Sequence, residues 1–220
     1  KTHCIETLDE MVALCHERQV ITIADEIMTG CGRLGPLFAT HYLKNSPDII
    51  CLAKGLTGGM LPFGATICRE EIYQTFLSKD LNKALLHGHS YCGNPLGCSA
   101  ALASLEILDS EKCHQQRKQI EQSHQRAMER FLKYERVAHI ELVGTLLKIE
   151  YRTLIESGYY NPARGELASF FQQRHISIRP MGNTIYVLPP YCISSEQLNR
   201  VYEAIEESLC EELWISCNIA

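Results

Sequence analysis

Lys54 lies where a lysine is uncommon, between an apolar run and a glycine-rich turn. Residues 49–53 (IICLA) are typical of a buried strand, and residues 55–59 (GLTGG) follow the lysine directly. A second apolar run, residues 20–24 (VITIA), ends at Asp25. An amine and a carboxylate therefore each follow a predicted strand, and ligands of open α/β sheets gather at the carboxyl ends of strands.

This pair of residues suits the chemistry of a pyridoxal phosphate (PLP) enzyme. The Lys54 amine can condense with the aldehyde of PLP, and Asp25 can keep the pyridine nitrogen protonated. Taken alone, Asp25 could cap the next turn, and Lys54 could be an ordinary loop lysine. Their joint occurrence at two strand ends favours the cofactor.

Three further side chains could bind anions, and each has an ordinary structural alternative. Ser90 lies in a turn-forming segment, residues 87–95, and could donate hydrogen bonds to a phosphate. Arg179, before a proline, and Arg33, between glycines, could each grip a carboxylate with two parallel hydrogen bonds. A surface salt bridge is the alternative for both arginines.

Alternating strands and helices must position these residues in the first half of the chain. Short apolar strands that alternate with helices predict an α/β fold whose mostly parallel sheet is covered on both faces. The predicted elements are helices over residues 8–17, 70–77 and 96–108 and strands over residues 20–24, 49–53 and 63–68.

The pattern changes after about residue 135 and predicts a smaller α+β domain behind a polar linking helix. A tight turn at residues 181–183 is expected to join two of its strands. The predicted elements are helices over residues 112–134, 166–173 and 195–209 and strands over residues 137–143, 146–151, 177–180 and 184–188.

Composition excludes several classes of function. The net charge of −5 is spread along the chain, so neither nucleic acid nor an anionic membrane is an expected partner. Eleven cysteines are dispersed without a C-x-x-C pair, which favours free thiols in a reducing cytoplasm. Nine dispersed histidines give no zinc-ligand spacing, so no metal is expected.

Three segments together resemble the class III aminotransferases, PLP enzymes of fold type I. They are residues 24–35 (ADEIMTGCGRLG), 47–59 (PDIICLAKGLTGG) and 87–98 (HGHSYCGNPLGC). The resemblance implies that Lys54 bonds to PLP and that Asp25 pairs with its ring nitrogen. It further implies that Ser90 holds the PLP phosphate across a homodimer interface that contains the active site, and that His89 also binds the cofactor.

The resemblance also implies where the substrate binds. Gly88 and Arg179 would meet the substrate carboxylate, with Arg33 and Tyr186 close to the substrate. Residues 178–191 (IRPMGNTIYVLPPY), with the residues around Gly88, resemble members of the family that take the amino group from S-adenosylmethionine. A class III enzyme acting on ornithine or 4-aminobutyrate, and a catalytically silent dimerising scaffold, remain the alternatives.

The family pattern divides the chain into two domains and leaves part of the enzyme out. Residues 1–110 correspond to the second half of the PLP-binding large domain, and residues 111–220 to a linking helix and the C-terminal small domain. Because the chain starts close to Asp25, we expect a C-terminal half that lacks the glycine/serine phosphate-binding turn and is inactive alone.

Overall fold

The computed structural model describes residues 2–210, which belong to two compact units, Lys1–Cys113 and His114–Ala220. Helix α4 begins in the first unit and continues into the second. The helices are α1 (Ile5–Glu17), α2 (Glu70–Phe76), α3 (Pro95–Asp109), α4 (Glu111–Phe131), α5 (Ala163–Gln173) and α6 (Ser195–Cys210). The strands are β1 (Ile23–Asp25), β2 (Ile49–Leu52), β3 (Ala65–Cys68), β4 (Val137–Val143), β5 (Leu146–Tyr151) and β6 (Thr184–Val187).

The first unit contains a three-stranded sheet in the order β1-β2-β3. Strands β1 and β2 are parallel, and Asp25 is aligned with Cys51. Strand β3 runs antiparallel to β2, which the sequence pattern does not indicate. Since β1 and β2 point the same way, residues that follow them emerge at one edge of the sheet.

Helix α3 begins one residue earlier than the pattern predicts because Asn94 and Pro95 define its start. The Asn94 side chain accepts a hydrogen bond from the Gly97 amide at 2.7 Å, and Pro95 stands in the first turn. Asparagine at the N-cap and proline just inside it are preferred helix-starting residues. The start of this helix also fixes the end of the segment that carries Ser90.

The second unit is built on an antiparallel sheet in the order β4-β5-β6. Alternate residues of β5 are buried (Leu147, Ile149 and Tyr151), as expected for a strand with one face on a core. They join buried residues of α5 and α6 in one hydrophobic cluster. That apolar layer stabilises the sheet on which Tyr186 lies.

One predicted strand is wrong. Residues 177–180 are not a strand, and the only pairing in this region is a bridge between Met181 and Thr184. Proline at 180 has no amide hydrogen to donate, and the chain turns directly after it. Arg179 is therefore placed by a turn and not by a sheet.

No helix among residues 2–210 is long and apolar enough to cross a membrane. The cysteines within these residues are all free thiols, and Cys217 lies outside the described residues.

Candidate active site

Asp25 ends strand β1, and Lys54 follows the carboxyl end of the neighbouring parallel strand β2. Asp25 is the last residue of β1, and its partner Cys51 on β2 precedes Lys54 by three positions. Both residues are exposed. The sheet therefore brings a primary amine and a carboxylate to the same edge, on adjacent strands.

The backbone of Lys54 is in the left-handed region, with a φ of 43°. Few residues other than glycine adopt this conformation, which costs about 1 to 3 kcal/mol and is found most often at functional sites. Lys54 opens a short 3-10 helix, Lys54–Thr57, that ends at the left-handed Gly58. Within the described part of the chain, the Lys54 ammonium makes no ion pair.

The turn that carries Lys54 is anchored to its surroundings. A Cβ atom on Gly55 would lie 2.8 Å from the Cβ atom of Cys31, so only glycine fits there. The Ser104 hydroxyl of α3 donates a hydrogen bond to the Gly55 carbonyl at 3.1 Å. The buried Thr57 donates its hydroxyl to a loop carbonyl at 2.7 Å. These contacts hold the strained backbone in place.

Asp25 and Glu26 are adjacent carboxylates with different surroundings. Glu26 is 2% exposed, and it accepts hydrogen bonds from the amides of Ala39 (3.0 Å) and Thr40 (2.6 Å) and from the Thr29 hydroxyl (2.7 Å). Asp25 is exposed and accepts one hydrogen bond from a backbone amide two residues later, at 3.0 Å. Glu26 therefore holds the following loop, whereas Asp25 faces outward beside Lys54's strand.

Arg33 lies half-buried in that loop, between Gly32 and Gly35, which both have positive φ. The nearby Cys31 is buried, and burial raises the pKa of its thiol. The negative charge of Glu26 raises this pKa further, and the Arg33 guanidinium lowers it. Arg33 thus lies close enough to Cys31 for its charge to act there.

The predicted cofactor-binding residues His89 and Ser90 and the predicted substrate-binding residue Gly88 lie in an exposed turn before α3. The His89 ring nitrogen Nδ1 accepts a hydrogen bond from the Tyr91 amide at 3.1 Å, and the His89 carbonyl accepts one from Cys92 at 3.0 Å. Among residues 2–210, no hydrogen bond joins this turn to Lys54 or Asp25, so the structure does not itself bring the two groups together.

Arg179 and Tyr186 belong to the second unit. Arg179 is exposed and precedes the buried Pro180, and Tyr186 is half-buried on β6. Tyr186 is paired across the strands with Lys148, whose ammonium lies 3.6 Å from the Glu141 carboxylate. Both predicted substrate residues therefore lie on or directly before one antiparallel sheet.

Sequence reasoning missed the residues that hold the site. The paired acids at the end of β1 were visible, but nothing in the pattern says which one is buried. The glycine-rich composition after Lys54 indicated an unusual backbone conformation without showing that Cys31 and Ser104 contact the turn at Gly55. Those contacts join positions far apart in the chain.

The chain belongs to the class III aminotransferase family, whose sequence profile matches residues 3–209. It is 40% identical over 205 residues to the adenosylmethionine-8-amino-7-oxononanoate aminotransferase of Synechococcus elongatus, covering 93% of this chain and 47% of that protein. The crystal structure of the same-named Methanocaldococcus jannaschii enzyme has a TM-score of 0.80 and 35% identity, covering 91% of this chain and 49% of that one. The PLP-bound structure of an amine transaminase from an uncultivated Pseudomonas species has a TM-score of 0.80 at 25% identity and covers 90% and 46%.

The predicted family and the predicted α/β fold are thus confirmed. The chain spans about half the length of the curated relatives it matches. The site also fits PLP on its own geometry. The amine and the carboxylate lie at one sheet edge, and a Cβ atom on the nearby Gly59 would meet nothing within 4 Å, which leaves space for a ligand beside the turn.

Proposed function

We propose that the protein containing this chain is a PLP-dependent transaminase that moves an amino group from S-adenosylmethionine to 8-amino-7-oxononanoate, a step of biotin biosynthesis. The observation that carries the transaminase chemistry is the anchored, left-handed turn of Lys54 beside Asp25 on the neighbouring parallel strand. The choice of substrates rests on the names of the relatives and on the match of residues 178–191 to that group.

Lys54 and Asp25 have different roles toward the cofactor. Bound PLP supplies an electron sink for the charge that remains on the substrate carbon when its proton leaves. Asp25 would keep a proton on the ring nitrogen, and Lys54 would hold the cofactor through its amine. With substrate bound, the same Lys54 amine would move the proton to and from the substrate carbon. Ser90 and His89 hold the phosphate.

The substrate is recognised through its carboxylate. Arg179 offers a planar guanidinium that can donate two parallel hydrogen bonds to it, and the small Gly88 lets the carboxylate approach the backbone. Arg33 and Tyr186 line the remainder of the substrate site. The exposed positions of Arg179 and Gly88 support this assignment.

The active site is completed by other parts of the protein. We assign residues 1–110 to the PLP-binding large domain and residues 111–220 to a linking helix and small domain, in a cytoplasmic homodimer whose interface contains Ser90. The curated relatives are about twice as long as this chain, which supports a requirement for further residues in tight PLP binding.

Covalent capture of PLP tests the proposal. The full chain is incubated with PLP, reduced with borohydride, digested, and analysed by mass spectrometry for a pyridoxyl group on the peptide containing Lys54. Most of the pyridoxyl label should be on that peptide, so the total label should fall in Lys54→Ala, whereas Lys79→Ala, at another exposed lysine, should keep it. A total label in Lys54→Ala equal to that of the wild type would refute the assignment.

A related specificity is the second candidate, because an amine transaminase superposes on this chain as well as the Methanocaldococcus jannaschii enzyme does. Amino donors separate the two. Transfer from S-adenosylmethionine supports the first proposal, and transfer from ornithine or 4-aminobutyrate supports the second. A chain that captures no PLP, even when the N-terminal half of a relative is added, would instead be a silent scaffold.

A further inference from the structure

The turn that follows Arg179 is unusually well fixed. Met181 and Thr184 exchange two backbone hydrogen bonds, of 2.8 and 3.1 Å, and so close a two-residue loop formed by Gly182 and Asn183. Gly182 has a φ of 60°, which suits a tight hairpin loop and favours glycine. The direction in which the chain passes Arg179 is therefore set by this loop.

Gly182 is also in close contact with a second segment, residues 152–162. A Cβ atom on Gly182 would lie 1.7 Å from the Gly158 carbonyl oxygen and 3.3 Å from the Asn161 Cβ atom. No side chain fits in this space. The loop after Arg179 thus rests directly on the backbone of the 152–162 segment.

Asn183 bonds the loop to two other parts of the unit. It is 2% exposed, its carbonyl accepts a hydrogen bond from the Tyr151 amide at 2.8 Å, and its side-chain NH₂ donates to the Tyr151 carbonyl at 2.7 Å. Its side-chain oxygen accepts from the Ser157 hydroxyl at 3.0 Å and the Gly158 amide at 3.4 Å. One amide side chain therefore connects the end of β5, the 152–162 segment and the loop after Arg179.

The 152–162 segment has its own internal support. The buried Asn161 donates to the Thr153 hydroxyl at 2.8 Å and to the Glu156 carbonyl at 3.2 Å, and it accepts from the Ala163 amide at 3.0 Å. The segment thus has internal hydrogen bonds besides those that it makes to Asn183. Contacts with this segment on one side and with the end of β5 on the other restrict the loop.

We propose that Asn183 is a positioning residue that aims the Arg179 guanidinium at the substrate carboxylate, an inference that rests on the proposed function. Arg179 makes no hydrogen bond or ion pair with another residue in the range 2–210, so its backbone alone sets the point from which its side chain extends. That backbone is held by the buried Pro180 and, through the loop, by Asn183. Binding groups act well only when residues behind them lock their geometry.

A carboxylate titration followed by NMR tests this role on the full, ¹⁵N-labelled chain. The probe is nonanoate, which has a carboxylate and an aliphatic chain but no amine. In the wild type, the Arg179 signals should shift on titration. Asn183→Ala should raise the apparent Kd about fivefold, since one lost hydrogen-bonding side chain weakens a linked equilibrium by about that factor.

Three comparisons separate positioning from simple loss of stability. Ser208→Ala removes another buried hydrogen bond of the same unit, to the Tyr151 hydroxyl at 2.6 Å, and should leave the Kd unchanged. Ser157→Ala, at an exposed residue that also bonds to Asn183, should raise the Kd about twofold and serves if Asn183→Ala does not fold. In an Arg179→Ala background, with the titration followed through the Tyr186 amide signal, Asn183→Ala should have no further effect on the Kd.

The outcomes are distinct. If nonanoate does not perturb Arg179 in the wild type, the carboxylate role of Arg179 fails, and the positioning role fails with it. If nonanoate binds and the Kd is unchanged in Asn183→Ala and in Ser157→Ala, only the positioning role is overturned. An equal increase in Ser208→Ala, or additivity with Arg179→Ala, also overturns it. Capture of PLP by Lys54 is measured in a separate experiment, so the proposed transaminase chemistry can hold even if the proposed role of Asn183 fails.

Discussion

The buried His124 makes a quantitative prediction about pH. It is 0% exposed, its Nε2 lies 3.1 Å from the Thr145 carbonyl, and its Nδ1 lies 2.7 Å from the Tyr202 hydroxyl. A carbonyl only accepts, so Nε2 carries the proton and Nδ1 accepts from Tyr202. Burial lowers the pKa of His124 to about 4 and outweighs the Thr145 hydrogen bond, which raises it.

The sign follows from comparing folded and unfolded states. The unfolded histidine takes up a proton near pH 6.5, whereas the folded one resists until about pH 4. The contribution to stability is therefore complete above pH 6.5 and is lost as the pH falls through this window. The full difference is about 3 kcal/mol, of which about 2 kcal/mol is lost between pH 7 and pH 5.

Urea unfolding followed by circular dichroism at pH 7, 6 and 5 measures this loss. His124→Gln should be less stable at pH 7, because it gives up the contacts of the ring, and should lose about 2 kcal/mol less between pH 7 and 5 than the wild type does. His139→Gln, at an exposed histidine, is the control and should retain the wild-type slope. An identical pH slope in wild type and His124→Gln would refute this account of the histidine.

Three further predictions concern the loops that hold the site. Gly182→Ala should lower the free energy of unfolding by about 3 kcal/mol in urea titrations, since its methyl group would overlap the Gly158 carbonyl; a change within 0.5 kcal/mol would contradict the contact. Glu26→Gln should lower the free energy of unfolding by about 2 kcal/mol in the same assay, because the charge-assisted hydrogen bonds to its carboxylate weaken. Asp25→Asn should leave the free energy of unfolding unchanged and reduce PLP retention. The reverse pattern would show that the two carboxylates have exchanged roles. Gly55→Ala should slow PLP capture, as measured by the reduced-adduct assay, and an unaltered rate would show that the turn need not be rigid.

Local sequence patterns were sufficient to find the two strand ends of the candidate site. Apolar runs that stop at Asp25 and before Lys54 carry the necessary information within a few residues, because continuous apolar runs are typical of parallel strands. The burial expected of such a run is not observed for β1, where Ile23 is 64% exposed. The same reasoning could not assign Glu26 to the interior. Its burial depends on amides at residues 39 and 40, which no local pattern connects to it.

The region around Arg179 shows where pattern reading fails. The alternation of residues 177–180 is typical of a strand, but the proline and the tight loop after it end the pairing at Met181. The role of Asn183 is likewise invisible in the sequence, where an asparagine beside a glycine indicates only a turn. Its burial comes from contacts with Tyr151 and the 152–162 segment, which are set by the packing of the whole unit.

The left-handed backbone at Lys54 means that the residue required for cofactor binding is not the residue that is most stable at this position. Glycine adopts a φ of 43° without a steric penalty, so Lys54→Gly should resist heat better than the parent while being unable to retain the cofactor covalently. A screen that ranks variants of this chain by melting temperature alone would therefore enrich inert molecules, and directed evolution of this scaffold has to select for turnover in the same round.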